Sequence, residues 1–262
     1  MTRYLPGTPC WVDLSTGDPV ASVGFYTSLF GWASYSAPGE GPGYTFFAPA
    51  GTRPADFPGR VVAGLMPGAE HTAWNTYVAV ADAEATATRV TEAGGQVLVP
   101  PADVAGQGRM AMFADDQGAL IAAWQPAAFH GAGLVNAPGC FCWSELACRD
   151  TGAAAEFYGS VFGWAPETSQ MGPMTYTEWR LGGRAVGGMV HMDEDWPSGI
   201  PPRWVVYFAV TDCDAAAAQA TDLGGQVAVP PTDAPPGRLA VLSDPQGATL
   251  TIIKLAADGV AS

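Results

Sequence analysis

Apolar and polar residues alternate along several short segments of the chain, and this period of two predicts β-strands. The first such segment is 10–16, which also contains β-forming residues at its apolar positions. The pattern restarts at 74–80, after an interval that contains a helical segment. Further strands of the first half are predicted at 44–48, 61–66, 96–99, 109–114 and 120–124.

Two segments of the first half follow a helical period instead. Asp18 is a good N-cap, Pro19 suits the first helical position, and Gly31 is a typical C-cap. The apolar face of this helix consists of Phe25, Tyr26, Leu29 and Phe30. A second helix is predicted at 82–93, where two glycines follow. One half therefore consists of two β-α-β-β-β units, which predicts an α+β fold whose sheet curls around a cleft.

The whole pattern occurs twice, with an offset of 132 residues (142 − 10) over the first unit. Three segments recur: 10–14 as 142–146, 25–32 as 157–164, and 115–119 as 244–248. A repeat of this length predicts tandem domains and not a solenoid. We expect a first domain at 1–126, a linker at 127–139, a second domain at 140–256 and a tail at 257–262.

Composition limits the classes of partner. The formal net charge is −14, with 25 acidic and 11 basic residues, which argues against nucleic acid and anionic membranes as partners. No apolar run is long enough for a membrane span, and residues 1–7 lack the apolar region of a signal peptide. The five cysteines are an odd number and favour reduced thiols, so we expect a cytoplasmic protein.

The Asp-x6-Phe-Tyr-x3-Phe-Gly-Trp helix at 18–32 and 150–164, with the Asp-x-x-Gly turn before the last strand, resembles the vicinal oxygen chelate superfamily. That superfamily contains glyoxalase I, bleomycin-resistance proteins and extradiol dioxygenases. The resemblance covers essentially the whole chain and is strongest to two-domain actinobacterial members. It implies two tandem domains, each with its own cleft. It also implies a monomer of two fused domains, with a dimer as the open alternative.

Enzymes of this superfamily hold a divalent metal through His, Gln or Glu side chains on the first and last strands of each unit. Counting from the motifs gives eight corresponding positions here, and only the Asn75 side chain resembles a usual donor. The resemblance therefore implies that the ancestral metal site has been lost and that no metal or other cofactor is required. The eight positions are Trp11, Gly64, Asn75, Ala122, Trp143, Gly188, Val205 and Thr251.

Two carboxylates remain as candidates for chemistry in the clefts. Asp13 and Glu145 lie two strand positions beyond the first-strand ligand positions and therefore on the same face. Tyr77 and Tyr207 take the matching places in the second units. These groups could form acid–base pairs or could anchor a ligand. A structural role, in which each carboxylate binds backbone groups or an arginine, is the alternative.

Other repeated residues could contribute to ligand binding. Trp11 and Trp143 should point into the clefts and would favour a flat aromatic ligand by stacking. Arg60 and Arg184 are equivalent and could bind a ligand carboxylate. Glu178 replaces Phe46 in the second copy, so the two clefts should differ chemically.

The sequence thus favours a metal-free protein that binds a small apolar or aromatic molecule, either to sequester it or to assist a step of secondary metabolism. The alternative is an enzyme in the same clefts. It would be a lyase, dioxygenase or hydroxylase that is metal-dependent or uses Asp13 or Glu145 as acid or base.

Overall fold

The computed structural model describes residues 4–36, 43–53, 56, 59–70, 72–171 and 174–256. The first half contains β1 (Pro9–Thr16), α1 (Pro19–Phe30), β2 (Trp32–Ser36), β3 (Thr45–Pro49), β4 (Ala63–Pro67), β5 (Ala73–Ala79), α2 (Ala83–Glu92), β6 (Gln96–Asp103), β7 (Gly108–Ala114) and β8 (Leu120–Pro126). The second half contains β9 (Phe141–Cys148), α3 (Thr151–Phe162), β10 (Ala165–Met171), β11 (Met174–Leu181), β12 (Arg184–His191), β13 (Arg203–Ala209), α4 (Cys213–Asp222), β14 (Gln226–Ala234), β15 (Gly237–Ser243) and β16 (Thr249–Leu255).

Each half builds its own eight-stranded sheet. The strand orders are β2-β3-β4-β1-β5-β8-β7-β6 and β10-β11-β12-β9-β13-β16-β15-β14. The two units of a half meet where β1 pairs antiparallel with β5, and β9 with β13. The predicted α+β architecture of two curled sheets is confirmed, and the units pair within their own half.

The boundaries of the elements follow local chemistry. The Asp18 carboxylate accepts a hydrogen bond from the Ala21 backbone amide, and α1 ends at Gly31 with a left-handed φ of 66°. The strand predicted at 96–99 continues to Asp103 through two prolines. β6 tolerates them because it is an edge strand with irregular pairing to β7.

The helices pack across the boundary between the halves. One core contains α1 side chains such as Phe25 together with Phe208 and Ile252 of the second sheet. A second core joins α3 side chains such as Phe157 to Phe113 of the first sheet. Because each core draws on both halves, the two domains stabilise each other as a fused pair.

The same hydrogen bond between the halves occurs twice, at equivalent positions of the repeat. The Tyr26 hydroxyl donates to Asp244 Oδ2 at 2.9 Å, and the Tyr158 hydroxyl donates to Asp115 Oδ2 at 2.9 Å. The other oxygen of each carboxylate accepts two backbone amides of its own Asp-x-x-Gly turn. The repeated motifs therefore build the interface between the halves.

In the part of the chain that the structure describes, no helix is long and apolar enough to cross a membrane.

Candidate ligand clefts

The face of each sheet opposite the helices carries the candidate site residues. We call the face lined by Trp11, Asp13 and Tyr77 the first cleft, and the face lined by Trp143 and Glu145 the second cleft. The strands supply these side chains by simple alternation, since their neighbours such as Val12 and Leu146 point into the helix-side cores.

In the first cleft, Asp13 is the centre of a hydrogen-bond network. Its Oδ2 accepts the hydroxyls of Tyr44 at 3.0 Å and Tyr77 at 2.9 Å, and its Oδ1 accepts the Asn75 amide at 3.0 Å. Trp11 Nε1 donates to the Tyr44 hydroxyl at 2.8 Å. Burial raises the pKa of Asp13, and its three hydrogen-bond donors oppose that rise.

The first cleft is filled by residues of the segment predicted as a linker. The Phe129 ring packs edge-on against Trp11 with centroids 4.9 Å apart. The Ala132 amide donates to the Cys10 carbonyl at 2.8 Å, and the Trp124 indole donates to the Phe129 carbonyl at 2.9 Å. Trp11 is only 3% exposed beneath Phe129, and Asp13, enclosed by its hydrogen-bond partners, is only 1% exposed. An external molecule cannot reach Asp13 in this arrangement.

The second cleft repeats the network but is more open. Glu145 Oε1 accepts the Tyr207 hydroxyl at 2.8 Å, and Tyr176 also hydrogen-bonds to Glu145. Trp143 Nε1 donates to the Tyr176 hydroxyl at 3.0 Å. Burial raises the pKa of Glu145, opposed by the two tyrosine hydroxyls. Trp143 and Glu145 are partly exposed, whereas Trp11 and Asp13 are buried, and the equivalent Tyr176 and Tyr44 are both partly exposed.

Tyr44 and Tyr176 belong to these networks although the sequence analysis did not select them. They are equivalent residues, Tyr44 directly before β3 and Tyr176 within β11, and a Cβ added at Gly64 or Gly188 would overlap their hydroxyls. Each tyrosine therefore fills the space that a side chain at the glycine would need. The sequence feature that could have indicated these tyrosines is that a tyrosine and a glycine recur together at equivalent positions of both halves.

The residues at the ligand positions of the superfamily do not fit a divalent metal. In the first half they lie on the four central strands, β4, β1, β5 and β8. Asp13 of β1 pairs with Gly64 of β4 and with Asn75 of β5, and Tyr77 of β5 pairs with Ala122 of β8. The Asn75 amide already donates to Asp13 and Ser15. The described residues contain no group of three or more His, Cys, Asp or Glu side chains that could hold a metal.

The remaining predicted residues are either exposed or ion-paired. Arg60 and Arg184 are exposed, and in the described residues neither donates a hydrogen bond to Asp13 or Glu145. Glu178 lies on β11 opposite Gly188 and forms an ion pair of 2.5 Å with Arg180. The other repeated arginines, at 109 and 238, pair with carboxylates on α2 and α4.

Known domains match both halves. Residues 10–123 match the Glyoxalase/Bleomycin resistance protein/Dioxygenase superfamily, and residues 143–253 match a glyoxalase-like domain. The anthracycline biosynthesis protein DnrV of Streptomyces peucetius is 40% identical over 268 residues, which cover 97% of this chain and 96% of DnrV. The chain is a two-domain member of the vicinal oxygen chelate superfamily.

Other members of the superfamily are similar to the chain in sequence or in fold. CFP32 of Mycobacterium tuberculosis (strain CDC 1551 / Oshkosh), whose name assigns it provisionally to the glyoxylases, is 41% identical over 260 residues, 97% of each chain. The Mn(II)-bound glyoxalase of Novosphingobium aromaticivorans has a TM-score of 0.64 at 18% identity, covering 98% of this chain and 90% of the other. The 2,3-dioxygenase LapB of Pseudomonas sp. KL28 has a TM-score of 0.63 at 14% identity, covering 94% and 91%. The two structures share the fold.

Proposed function

We propose that this superfamily member binds a small planar aromatic molecule in the second cleft without using a metal. The observation that carries the proposal is the difference in exposure between Trp143 and Glu145 and their buried counterparts, Trp11 and Asp13. A partly exposed indole beside a partly exposed carboxyl group combines a stacking surface with a polar anchor, as small-molecule sites commonly do.

The polar groups of the second cleft suit such a ligand. Because the pKa of Glu145 is raised, its carboxyl group keeps a proton to higher pH than an exposed glutamate and can donate a hydrogen bond. The hydroxyls of Tyr176 and Tyr207 hold this carboxyl group in place. We propose that the molecule sequesters its ligand or presents it to a partner enzyme. The relative named an anthracycline biosynthesis protein favours a place in secondary metabolism.

Catalysis by Glu145 is the second candidate function. A carboxyl group with a raised pKa that a ligand can reach is a suitable general acid or base. Asp13 is a weaker candidate because it is only 1% exposed. Under this alternative, Glu145→Gln abolishes turnover while ligand binding persists.

Ligand titration with paired variants tests the proposal. Planar aromatic compounds such as naphthalene derivatives would be titrated calorimetrically into the wild type, Trp143→Leu and the matched control Trp11→Phe. We expect one binding site per chain, at least about tenfold weaker binding in Trp143→Leu, and unchanged binding in Trp11→Phe. Equal losses in both variants, or unchanged binding in Trp143→Leu, would contradict the proposal.

Metal analysis of the purified protein tests the other part of the proposal. We expect no stoichiometric metal, and no rise in melting temperature when Mn²⁺, Fe²⁺, Co²⁺, Ni²⁺ or Zn²⁺ is added, since a ligand that binds only the folded state would raise it. A content of one metal per domain with such stabilisation would show that binding depends on metal and would redirect the search to glyoxalase and dioxygenase assays.

A further inference from the structure

Arg203 is a charged residue of the second cleft that the network around Glu145 does not include. It begins β13, whose alternate residues Trp204, Val206 and Phe208 point into the helix-side cores. Arg203 therefore points to the other face, together with Val205 and Tyr207. The pairing of β13 with β9 places Arg203 opposite Ala147, one cleft-facing position beyond Glu145.

The positive charge of Arg203 has no carboxylate partner among the residues that the structure describes. Its Nε atom is buried and has no hydrogen-bond partner there. Desolvation lowers the pKa of Arg203, which reflects the cost of holding this charge away from water. A bound anion would remove that cost.

The N–H groups of the neighbouring arginines already have partners. Arg180 forms ion pairs with Glu178 of its own strand, β11, and with Glu167 of β10. Arg149 donates to backbone carbonyls of the loop at 192–197, which carries Trp196 against the Ala147 end of the sheet. Among the described residues, Arg203 is thus a partly buried cation without an ion pair, and it lies at a wall lined by aromatic residues, whereas Arg184, which also lacks an ion pair, is exposed.

The first cleft lacks this feature. The residue equivalent to Arg203 is Ala73, which pairs with Ser15 at the corresponding place in β1. The arginine is therefore specific to the cleft whose tryptophan and glutamate are partly exposed.

We propose that Arg203 binds a carboxylate of the aromatic ligand in the second cleft. This inference rests on the proposed function and adds the charge of the ligand. The planar guanidinium group can donate two parallel hydrogen bonds to a carboxylate, and partial burial strengthens this pairing. The ligand's ring would lie towards Trp143, and the raised pKa of Glu145 lessens the negative charge that its carboxyl group presents to the anion.

The experiment compares 2-naphthoate with its neutral analogue 2-naphthamide by calorimetric titration at low salt. The proteins are the wild type, Arg203→Met, Arg203→Lys and the control Arg53→Met, whose arginine is exposed and lies in the first half. We expect the wild type and the control to bind naphthoate at least about tenfold more tightly than naphthamide. Arg203→Met should lose that preference while still binding naphthamide, and Arg203→Lys should keep part of it.

Two other outcomes separate the inference from the proposed function. If naphthoate and naphthamide bind the wild type equally and Arg203→Met changes neither, the role of Arg203 is wrong and the aromatic site stands. If neither probe binds the folded wild type at about 1 mM, the proposed function and the inference are both overturned.

Discussion

The two clefts are built on the same scaffold but differ in access. In the first cleft, Phe129 packs against Trp11, and the exposed fractions of Trp11 and Asp13 are only 3% and 1%. In the second cleft, the corresponding Trp143 and Glu145 are partly exposed. Duplication supplied two equivalent polar networks, and one of them has become part of the core.

The interface between the halves has not diverged in this way. Within each half, Trp74 donates to the Tyr26 hydroxyl at 2.9 Å and Trp204 to the Tyr158 hydroxyl at 2.8 Å, and these two tyrosines donate across the interface to Asp244 and Asp115. The C-terminal Trp of each helix motif also reaches across, from Trp32 to Gly139 and from Trp164 to Gly7. Symmetry is thus retained where the halves support each other and is lost where a ligand would bind.

The largest difference between the clefts should appear on removal of their tryptophans. Trp11→Ala should lower the free energy of unfolding by about 3–5 kcal/mol, because it empties a buried site. Trp143→Ala should cost less than about half of that, since part of the side chain is already exposed, but it should abolish ligand binding. Urea unfolding measures the first effect and calorimetry the second. Equal destabilisation by the two variants would contradict the comparison.

Opening the first cleft should make it resemble the second. Phe129→Ala should cost about 3 kcal/mol of unfolding free energy because a buried aromatic ring is lost. It should also uncover Trp11, so that neutral 2-naphthamide binds at a second, weaker site. Titration of the variant at a temperature where it is folded gives the number of sites. A single site would show that Phe129 does not block the first cleft.

Changes at the interface should affect the two halves alike. Tyr26→Phe and Tyr158→Phe each leave a buried carboxylate oxygen without its hydroxyl donor, at a cost of about 1–3 kcal/mol. Because the contacts are equivalent, the two losses should agree within about 0.5 kcal/mol. Urea unfolding of both single variants measures them. Strongly unequal losses of unfolding free energy would show that the two equivalent contacts do not contribute equally to stability.

The smallest effect should be the pH dependence contributed by the carboxyl groups. The pKa of Asp13 is higher in the folded state than in the unfolded state, where it is about 3.9. Its contribution to stability is therefore fully present below the unfolded pKa and is lost as the pH rises through the folded pKa. Asp13→Asn removes the titration. The stability of Asp13→Asn relative to the wild type should therefore increase as the pH rises above about 4.

Glu145→Gln should show the same direction of change, starting from about pH 4.3. Chemical denaturation at a series of pH values would measure both variants. A relative stability that falls with rising pH would contradict the assigned direction of the pKa shifts.

Much of the fold could be predicted because the repeat and the helix caps are local signals. Asp18 and Gly31 mark the ends of α1 as expected, and the strand alternation assigned the faces of β1 and β9. The strand β2 was missed, and the linker was expected to be merely a connection. Its Phe129 acts through a long-range contact that no periodic pattern indicates.

The candidate site could be predicted only in part. Asp13 and Tyr77, like Glu145 and Tyr207, were found by alternation, and hydrogen bonds join each pair. Tyr44 and Tyr176 were missed because their place depends on the register between neighbouring strands, which an isolated strand sequence does not specify. Arg203 was missed because its equivalent is an alanine, so a search for repeated residues passes over it.

The most direct test of the account is ¹⁹F NMR of protein whose nine tryptophans are replaced by 5-fluorotryptophan. The resonances of Trp11 and Trp143 would be assigned with single Trp→Phe variants, and a planar aromatic ligand would then be added. The account predicts that the Trp143 resonance shifts in a saturable manner and that the Trp11 resonance stays in place. A shift of Trp11 with an unchanged Trp143 would contradict it.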